Sequence, residues 1–508
     1  MWNEARLEAL AHKSFKNKKL IIVSNREPYI HEHRGGRVVC ISPAGGLTSA
    51  LKPVIRAAGG TWVAQATGSA DRQTASPLGR LRVPPEDPAF TLRRVWIPEN
   101  LQRSYYDGLA NQALWPLCHN VYQRPVFRDS DWQAYRRVNE IFAQSVLEEA
   151  RGGEAVVFVQ DYHLALLPRM LKSHNPSLTV AQFWHIPWPN ADIVRTFPWV
   201  EELFAGMLGN DLLAFHLDQH TANFIEGARN SLPACIDPAQ KTVWFDGRPT
   251  AVRDAPISID FDRHAATAAS AGVEEAMRAW KGRVGGVARL GVGIDRIDYT
   301  KGIPERLRAL RMLLERTPAL RGALTFVQVG VPSRGGISEY AQLEHAIDEE
   351  VSFINDRWGT PGWQPVILEK RNLPAEEMMA LHRLSDFCMV TSLHDGMNLV
   401  AKEFVASRGD GDGVLILSRF AGAAHELGTA LQVNPYSGSS ICQALSSALT
   451  MPEAERRQRM ATARAVVQHN NIYRWAAVLI QELDEIRRAE VQPRHLVRLG
   501  QLAAANVA

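Results

Sequence analysis

Long hydrophobic runs and paired cysteines are both missing from this sequence. It has no run of about 18 apolar residues, the length that crosses a bilayer as a helix. Its five cysteines are widely spaced and form no Cys-x-x-Cys pair, which indicates a reducing compartment and no structural zinc. The mildly basic N-terminus lacks the apolar core of a signal peptide. We therefore expect a cytoplasmic protein that does not bind membranes.

A large excess of charge of either sign is also missing. The chain has 57 basic and 54 acidic residues, a net charge of +3, which does not predict nucleic-acid binding. The motifs Gly-x-Ser-x-Gly and His-Glu-x-x-His are absent, so serine hydrolase and zinc protease chemistry lack support. Asp129-Ser-Asp131 and Asp410-Gly-Asp412 resemble metal-binding pairs. Each lies in a polar segment without a third ligand nearby, so we expect solvated turns and no metal.

Short apolar segments alternate with helical segments through most of the chain. The 508 residues, 46% of them hydrophobic, supply enough core for at least two domains. Continuous apolar runs are typical of parallel strands covered by helices on both faces, which predicts a doubly wound α/β fold. Strands are predicted at Leu20–Ser24, Ala155–Gln160, Val180–Trp184, Ala288–Gly293, Leu324–Val329, Val366–Leu368, Asp386–Thr391 and Val414–Leu417.

An extended segment at residues 255–260, followed by an Ala-rich helical stretch and a new strand near Leu290, predicts a domain boundary. We expect an N-terminal domain of residues 1–255, a C-terminal domain of residues 256–470 and a helical tail of residues 471–508. The tail should begin with a long helix from Trp475 to Glu490, followed by a shorter one. The two domains would face each other across a cleft.

The segment from Ser392 to Glu403 joins a predicted strand to a predicted helix through a glycine-bearing turn. Such a junction offers free backbone N–H groups and a positive helix end to an anion. One carboxylate, Asp395, lies in the turn, and a second, Glu403, lies two helical turns later. This combination suits a ligand that has both phosphates and sugar hydroxyls, although an ordinary turn with incidental acids has the same sequence features.

Other polar motifs also follow predicted strands. Arg296 and Lys301 could clamp a diphosphate, because the guanidinium forks onto oxygens and the ammonium adds a point charge; a solvated charged loop is the alternative. The pair Gly45-Gly46 could let backbone approach a phosphate closely. Asp161 and His185 end two different strands and could bind sugar hydroxyls together. Arg26 could bind a phosphate or form a surface ion pair.

Together these motifs resemble the trehalose-6-phosphate synthase family of retaining glycosyltransferases, from about Leu20 to Arg474. The stretches that carry the resemblance are VSNR (23–26), AGGL (44–47), YY…LWP (105–116), QDYH (160–163), HIPWP (185–189), DRIDYTKG (295–302), PSRG (332–335), HDGMNLVAKE (394–403) and SRFAGAAHEL (418–427). The resemblance implies the GT-B fold, in which two doubly wound, Rossmann-like domains face a central cleft and C-terminal helices follow.

The resemblance also implies an activity: transfer of glucose from a nucleotide-glucose, UDP-glucose being expected, to glucose 6-phosphate, without a cofactor or metal. Another phosphorylated acceptor, such as glycerol 3-phosphate or a cyclitol phosphate, and a non-catalytic homologue remain alternatives, and a homo-oligomer stays open. The implied catalytic residues are Arg296, Lys301, Asp395 and His185. The implied donor-binding residues are Gly45, Gly46, Arg296, Lys301, Asp395, Gly396, Met397, Asn398, Leu399, Val400 and Glu403. The implied acceptor-binding residues are Arg26, Tyr106, Trp115, Asp161 and Arg334.

Three positions depart from the family pattern. Trp188 stands where phenylalanine is usual, Gln65 where a second aromatic is expected, and His394 where arginine is frequent. The first two are expected toward the acceptor side, so they bear on acceptor identity more than on donor chemistry. Trp188 is also similar to relatives that use cyclitol acceptors, but those relatives lack the Ser-Asn-Arg pattern that precedes residue 27 here.

Overall fold

The protein is described by a computed structural model that covers residues 1–16, 18–42, 46–151 and 154–491. Two mixed sheet-and-helix units follow one another along the chain, which confirms the predicted doubly wound α/β fold. Within these ranges, no helix is both long enough and apolar enough to cross a bilayer.

A ten-stranded sheet belongs to the N-terminal part of the chain. Its order is β10-β11-β12-β9-β8-β7-β1-β4-β6-β5, with parallel pairing from β12 to β6 and antiparallel strands at both edges. A separate hairpin pairs β2 with β3. The strands are β1 (Lys19–Arg26), β2 (Ile30–Arg34), β3 (Arg37–Ile41), β4 (Thr61–Gln65), β5 (Arg80–Val83), β6 (Phe90–Val95), β7 (Ala155–Gln160), β8 (Thr179–Phe183), β9 (Leu212–Phe215), β10 (Cys235–Asp237), β11 (Thr242–Phe245) and β12 (Arg248–Asp254).

A six-stranded, entirely parallel sheet belongs to the C-terminal part, in the order β15-β14-β13-β16-β17-β18. Its strands lie on the far side of the predicted boundary near residue 255; the domain bounds themselves stay a prediction. The strands are β13 (Arg289–Arg296), β14 (Leu324–Val331), β15 (Val366–Glu369), β16 (Phe387–Val390), β17 (Val414–Ser418) and β18 (Leu431–Val433).

Helices connect the strands and cover the faces of both sheets. A π-helix at Arg103–Leu114 and short 3₁₀ turns, including Tyr162–Leu164 and Tyr299–Lys301, complete the connections. The α-helices are α1 (Glu4–Ser14), α2 (Gly46–Ala58), α3 (Asp71–Thr74), α4 (Glu99–Gln102), α5 (Trp115–His119), α6 (Asp129–Glu149), α7 (Leu167–His174), α8 (Ala191–Val194), α9 (Val200–Met207), α10 (Asp218–Ser231), α11 (Phe261–Ala268), α12 (Ala271–Val284), α13 (Ile303–Arg316), α14 (Ser338–Trp358), α15 (Ala375–Leu384), α16 (Leu399–Ser407), α17 (Gly438–Thr450), α18 (Glu453–His469) and α19 (Ile472–Val491).

The last described helix, α19, returns to the N-terminal part of the chain. Trp475 packs edge-on against Phe183 of β8, with ring centroids 5.0 Å apart. Glu482 accepts a hydrogen bond of 2.8 Å from Arg253 of β12. The predicted long C-terminal helix is therefore present, and it ties the end of the chain to the ten-stranded sheet. The shorter helix predicted after it lies outside the described residues.

One expectation about the chain's acidic pairs is wrong. Asp129 and Asp131 open helix α6 instead of lying in a solvated turn. Carboxylates in the first turn of a helix interact favourably with the positive end of its dipole, so these two residues stabilise the start of α6. Asp131 also accepts a hydrogen bond of 3.1 Å from Arg128.

Candidate active site

In each sheet the strand order changes direction at a strand that carries a predicted site residue. β1 lies between β7 and β4, and β13 lies between β16 and β14. The loops on the two sides of such a reversal point apart, so ligands of open α/β sheets bind there, beyond the carboxyl ends of the strands. Arg26 ends β1 and Arg296 ends β13. The topology thus brings predicted residues to the favoured ligand position of each sheet.

The turn between β16 and α16 is organised around the buried carboxylate of Asp395. Its Oδ2 accepts hydrogen bonds from Lys301 Nζ at 2.5 Å, from Asn398 Nδ2 at 3.0 Å and from the Ser392 hydroxyl at 3.0 Å. Burial raises the pKa of Asp395, but the neighbouring Lys301 ammonium outweighs this effect and holds the pKa well below its usual range. The predicted donor turn and half of the predicted cationic clamp therefore form one ion pair.

The N-terminus of α16 lies directly after this turn. Asn398 is the capping residue, yet its side chain bonds to Asp395 and gives the helix no cap hydrogen bond. Backbone N–H groups of the first helical turn, at Leu399 and Val400, have no acceptor within the helix. They are donors suited to an anionic group. Met397 is buried just before them, and its carbonyl accepts a hydrogen bond from the Ala423 backbone.

Glu403 lies on the second turn of α16 and is partly exposed. Among the described residues, none donates a hydrogen bond to its carboxylate, and burial raises its pKa to about 7. A carboxylate that is desolvated without a partner is costly to ionise, and hydroxyl donors from a ligand would relieve that cost. This environment suits the predicted contact with ribose hydroxyls.

The other half of the clamp, Arg296, lies over the indole of Trp115. Its guanidinium carbon is 5.4 Å from the ring centroid, and its side chain is 34% exposed. Lys301 closes the short 3₁₀ turn after β13, and Gly302 follows it with φ of 63°. A Cβ at Gly302 would lie 2.3 Å from the Thr391 carbonyl oxygen, so glycine lets this loop pack against the end of β16.

Two arginines from different sheets act on one tyrosine at the acceptor side. Arg26 Nη2 donates a 3.3 Å hydrogen bond to the hydroxyl of Tyr106, which lies on the π-helix. Burial alone would raise the pKa of Tyr106, but the guanidiniums of Arg26 and Arg334 lower it to about 8. Arg334 is itself almost fully buried, at 4% side-chain exposure. Two guanidiniums that favour the ionised form of a phenol would also form a favourable environment for a phosphate.

Asp161 and His185 end adjacent strands and are in contact. The backbone N–H of His185 donates to Asp161 Oδ1 at 3.2 Å. Burial raises the pKa of Asp161 to about 6, against hydrogen bonds from the Tyr162 and His185 backbones that lower it. Burial also lowers the pKa of His185 to about 3, so the imidazole is neutral near pH 7. Its Nε2 donates a hydrogen bond of 2.9 Å to Gln160 Oε1.

The N-terminal and C-terminal parts of the chain are in direct contact at Gly396. A Cβ placed there would lie 2.1 Å from the carbonyl oxygen of His185, and one placed on Gly422 would lie 2.0 Å from the carbonyl oxygen of Gly396. His394 reaches the same boundary, where its Nδ1 donates a 2.5 Å hydrogen bond to the His119 carbonyl. Only glycine allows this approach, so the predicted donor turn lies against the loop that carries His185.

Backbone strain marks the same residues independently of their side chains. Among the described residues, seven other than glycine have positive φ, and three of them are predicted site residues: Asp161 at 70°, Arg334 at 54° and Asn398 at 67°. Such conformations cost energy, and they concentrate at functional sites because the surrounding structure holds them in place. The strain therefore supports placing the site at this cleft.

The predicted glycine pair lies where the described residues resume after a gap. Gly45 lies outside the described residues, and Gly46 is the first residue of α2. No cluster of three or more His, Cys, Asp or Glu residues suited to a metal ion occurs within the described part of the chain. Activity without metal or cofactor stays a prediction.

Trp188 does not lie toward the acceptor side as expected. Its ring is 1% exposed and packs edge-on against Phe204, Phe215 and Phe224 at 5.1 to 5.8 Å. Apolar burial thus decides the position of this ring. Gln65, by contrast, is the β4 neighbour of Arg26 and donates a hydrogen bond of 2.6 Å to Gln102.

Asp298 is a residue to which the sequence assigned no role. It is fully buried, and it contacts Trp115, Arg334 and Thr300. The only sequence signal was its position between Arg296 and Lys301 in a polar motif. Nothing in the motif indicated that its partners come from distant segments.

A comparison with known protein families decides the classification of this chain. The model of glycosyltransferase family 20 matches residues 18–485. The chain belongs to glycosyltransferase family 20. It is similar to the trehalose-6-phosphate synthase of Mycobacterium sp. (strain KMS), with 36% identity over 92% of this chain and 95% of that protein. It is also similar to a bifunctional trehalose-6-phosphate synthase/phosphatase of Thermoproteus tenax, with 34% identity over 94% of this chain but only 65% of the relative.

Solved structures of the family have the same fold. A trehalose-6-phosphate protein of E. coli, bound with UDP-2-fluoro glucose, superimposes with a TM-score of 0.82 and 31% identity over 92% of this chain and 99% of that one. An α,α-trehalose-phosphate synthase (UDP-forming) from Burkholderia xenovorans in complex with glucose-6-phosphate gives a TM-score of 0.82 and 30% identity over the same shares. These matches confirm the predicted GT-B fold and the assignment of the chain as a glycosyltransferase.

Proposed function

We propose that this chain transfers glucose from UDP-glucose to glucose 6-phosphate with retention at the anomeric carbon, which yields trehalose 6-phosphate and UDP. Relatives named for this reaction support the proposal, and so do solved relatives bound with a UDP-glucose analogue and with glucose-6-phosphate. The observation that carries it is that two features lie together at the boundary between the two sheets. One is the turn around Asp395, which suits a nucleotide-sugar donor, and the other is the anion site formed by Arg26 and Arg334.

The donor would bind to the C-terminal part of the chain. Glu403 would accept hydrogen bonds from ribose hydroxyls, and the first-turn N–H groups of α16 would bind the diphosphate. Arg296 and Lys301 would neutralise the charge that develops on the diphosphate as it leaves. Lys301 is paired with Asp395 in this structure, so both charges are already oriented before any ligand binds.

The acceptor would bind at the N-terminal part with its phosphate between Arg26, Tyr106 and Arg334. The acceptor hydroxyl would form a bond to the anomeric carbon on the face from which the diphosphate departs. As the glycosidic C–O bond of the donor breaks, a diphosphate oxygen would take the hydroxyl proton. The protein's part is then positioning and charge stabilisation, for which no enzymic nucleophile is required.

A matrix of nucleotide-glucose donors against acceptors, with released nucleoside diphosphate as the readout, tests this function. We expect the highest turnover with UDP-glucose and glucose 6-phosphate, and a rate with unphosphorylated glucose that is lower by at least about a hundredfold, because the phosphate forms charge-assisted contacts. Equal rates with glucose and glucose 6-phosphate would rule out the two-arginine site. No turnover with any acceptor would identify a non-catalytic homologue.

Gln65 gives a specific reason to include other phosphorylated acceptors. Its amide lies beside Arg26 and pairs with Gln102, so the acceptor side carries a polar pair at this point. Glycerol 3-phosphate and a cyclitol phosphate therefore belong in the matrix. A higher rate with either one would retain the donor assignment and change the acceptor. The predicted cytoplasmic location and any homo-oligomer stay predictions.

A further inference from the structure

Asp298 joins residues of both substrate subsites through one buried carboxylate. Oδ1 accepts hydrogen bonds from Trp115 Nε1 at 3.3 Å and from the Thr300 backbone at 3.1 Å. Oδ2 accepts from Arg334 Nη1 at 3.2 Å and from the Tyr340 hydroxyl at 3.4 Å. Asp298 itself is 0% exposed. The Thr300 hydroxyl also donates to Oδ1 at 3.0 Å, so five donors are held by a single side chain that a ligand does not need to touch.

The indole of Trp115 completes this arrangement from the N-terminal part of the chain. The guanidinium carbon of Arg334 lies 4.1 Å from its ring centroid, and that of Arg296 lies 5.4 Å away. Arg296 Nη2 also lies 3.9 Å from Asp298 Oδ2. One arginine is assigned to the donor diphosphate and the other to the acceptor phosphate. Both therefore lie against the same ring and the same carboxylate.

We propose that Asp298 is a positioning residue that couples donor and acceptor binding, by holding Arg296 and Arg334 against Trp115. The proposal rests on the function proposed above. A ligand that orders one arginine on the indole also orders the shared ring and carboxylate. The second ligand then meets a site that is already arranged, and its affinity rises.

The sign of the effect separates positioning from simple electrostatics. Asp298 is negative and lies beside cations that bind anions, so removal of its charge should tighten the binding of both anionic ligands if charge alone matters. If Asp298 acts by positioning, Asp298→Asn should instead abolish the mutual enhancement between the ligands. The two explanations thus predict opposite changes in the affinity for glucose 6-phosphate when UDP is present.

Calorimetry of glucose 6-phosphate binding, with and without saturating UDP, measures the coupling without turnover. In the wild type we expect UDP to tighten glucose 6-phosphate binding at least about tenfold, within the usual range of coupling between sites. In Asp298→Asn the ratio should fall to about onefold to threefold. Exposed Asp356 provides the matched control: Asp356→Asn should keep the wild-type ratio.

Trp115→Phe keeps every charge and an aromatic face, but it removes the indole N–H that Asp298 accepts together with the bulk of the second ring. It therefore tests the proposal even if Asp298→Asn folds poorly. We expect an intermediate ratio, and in the double variant no loss beyond that of Asp298→Asn alone, because the two residues act through one contact. A ratio that is unchanged in both variants, or tighter binding of both ligands in Asp298→Asn, overturns the proposal.

Two further outcomes separate this proposal from the proposed function. If the wild type turns over but UDP leaves glucose 6-phosphate affinity unchanged, the coupling is wrong and the function stands. If the wild type does not bind glucose 6-phosphate, inorganic phosphate replaces it as the probe. Synergy between UDP and phosphate that depends on Asp298 would then support the coupling although the acceptor is misassigned, and its absence would refute the coupling.

Discussion

Replacement of Glu403 by glutamine should make the ligand-free protein more stable and the donor complex weaker. The carboxylate lies on α16 in a site that raises its pKa from 4.5 to about 7, and burial is the cause. Glutamine has nearly the same shape and is always neutral, so it resembles the protonated carboxyl. The variant therefore removes the cost of ionising this group, together with the charge that we assign to ribose binding.

The sign and size of the stability effect follow from the two pKa values. A carboxyl with a raised folded pKa contributes its stability below the unfolded pKa, and that contribution is lost as the pH rises from 4.5 to about 7. With a discount for partial exposure, the loss is about 2–3 kcal/mol above pH 7, since one pKa unit corresponds to about 1.4 kcal/mol. Glu403→Gln should regain it above pH 7 and gain little at pH 4.5.

Thermal unfolding of wild type and variant between pH 4.5 and 8 measures this difference, and UDP titration at pH 8 measures donor affinity. We expect a gain in Tm of roughly 4–12 °C at pH 8 for the domain that contains α16, which shrinks toward pH 4.5. The Kd for UDP should rise about 10- to 100-fold, because hydrogen bonds to a charged group contribute about 1.5–3 kcal/mol. Exposed Glu275 offers a matched control, since Glu275→Gln should change neither quantity.

The stability of the variant and its affinity for UDP can be tested separately. If the gain in Tm is the same at pH 4.5 and pH 8, ionisation of Glu403 is not what destabilises the protein. If the Kd for UDP stays within threefold of the wild-type value at pH 8, Glu403 does not bind the ribose. A stability gain combined with weaker UDP binding is the signature of a site that keeps a costly charge for its ligand.

Three further predictions concern the clamp, the aromatic core and the boundary between the two parts. Arg296→Ala should fold normally, whereas Lys301→Ala leaves the buried Asp395 carboxylate without its cation and should fold with reduced stability. Each should lose about 100- to 1,000-fold in turnover, measured as released UDP on folded protein; near-normal turnover in either variant would exclude that residue from the clamp. Trp188→Ala should lower the free energy of unfolding by about 3–5 kcal/mol in denaturant titrations and leave acceptor preference unchanged, whereas an altered preference would return this ring to the acceptor side. Gly396→Ala places a Cβ 2.1 Å from the His185 carbonyl oxygen and should weaken UDP binding at least about tenfold in calorimetry, and unaltered binding would show that the turn can move without consequence.

Eight of the eighteen strands in the described residues were predicted, because burial on both faces leaves a local trace in the sequence. A buried parallel strand is a continuous apolar run, and the predicted segments at residues 155–160 and 414–417 coincide with β7 and β17 to within one residue. The buried strands β4 and β9 were missed, and so were β10 and β11 at one side of the large sheet. β10 and β11 are short and only partly buried, so their composition resembles that of the loops around them.

The donor turn was predictable for a related reason. Asp395, Gly396, Asn398 and Glu403 are close in sequence, so a strand, a turn and a helix are enough to bring them together. Local backbone geometry therefore carries most of the information. Arg296 and Lys301 follow a neighbouring strand, and the parallel topology of the sheet places them at the same edge.

The sequence by itself determined the α/β class, the positions of the polar motifs at strand ends, and the family. Only the tertiary structure decided that Trp188 belongs to the core, that Gly396 lies against His185, and that Asp298 joins Trp115 to Arg334. The physical reason is separation along the chain. These contacts join segments that are distant in sequence, and those of Gly396 with His185 and of Asp298 with Trp115 also join the two sheets. Their energies depend on packing that no local pattern of residues records.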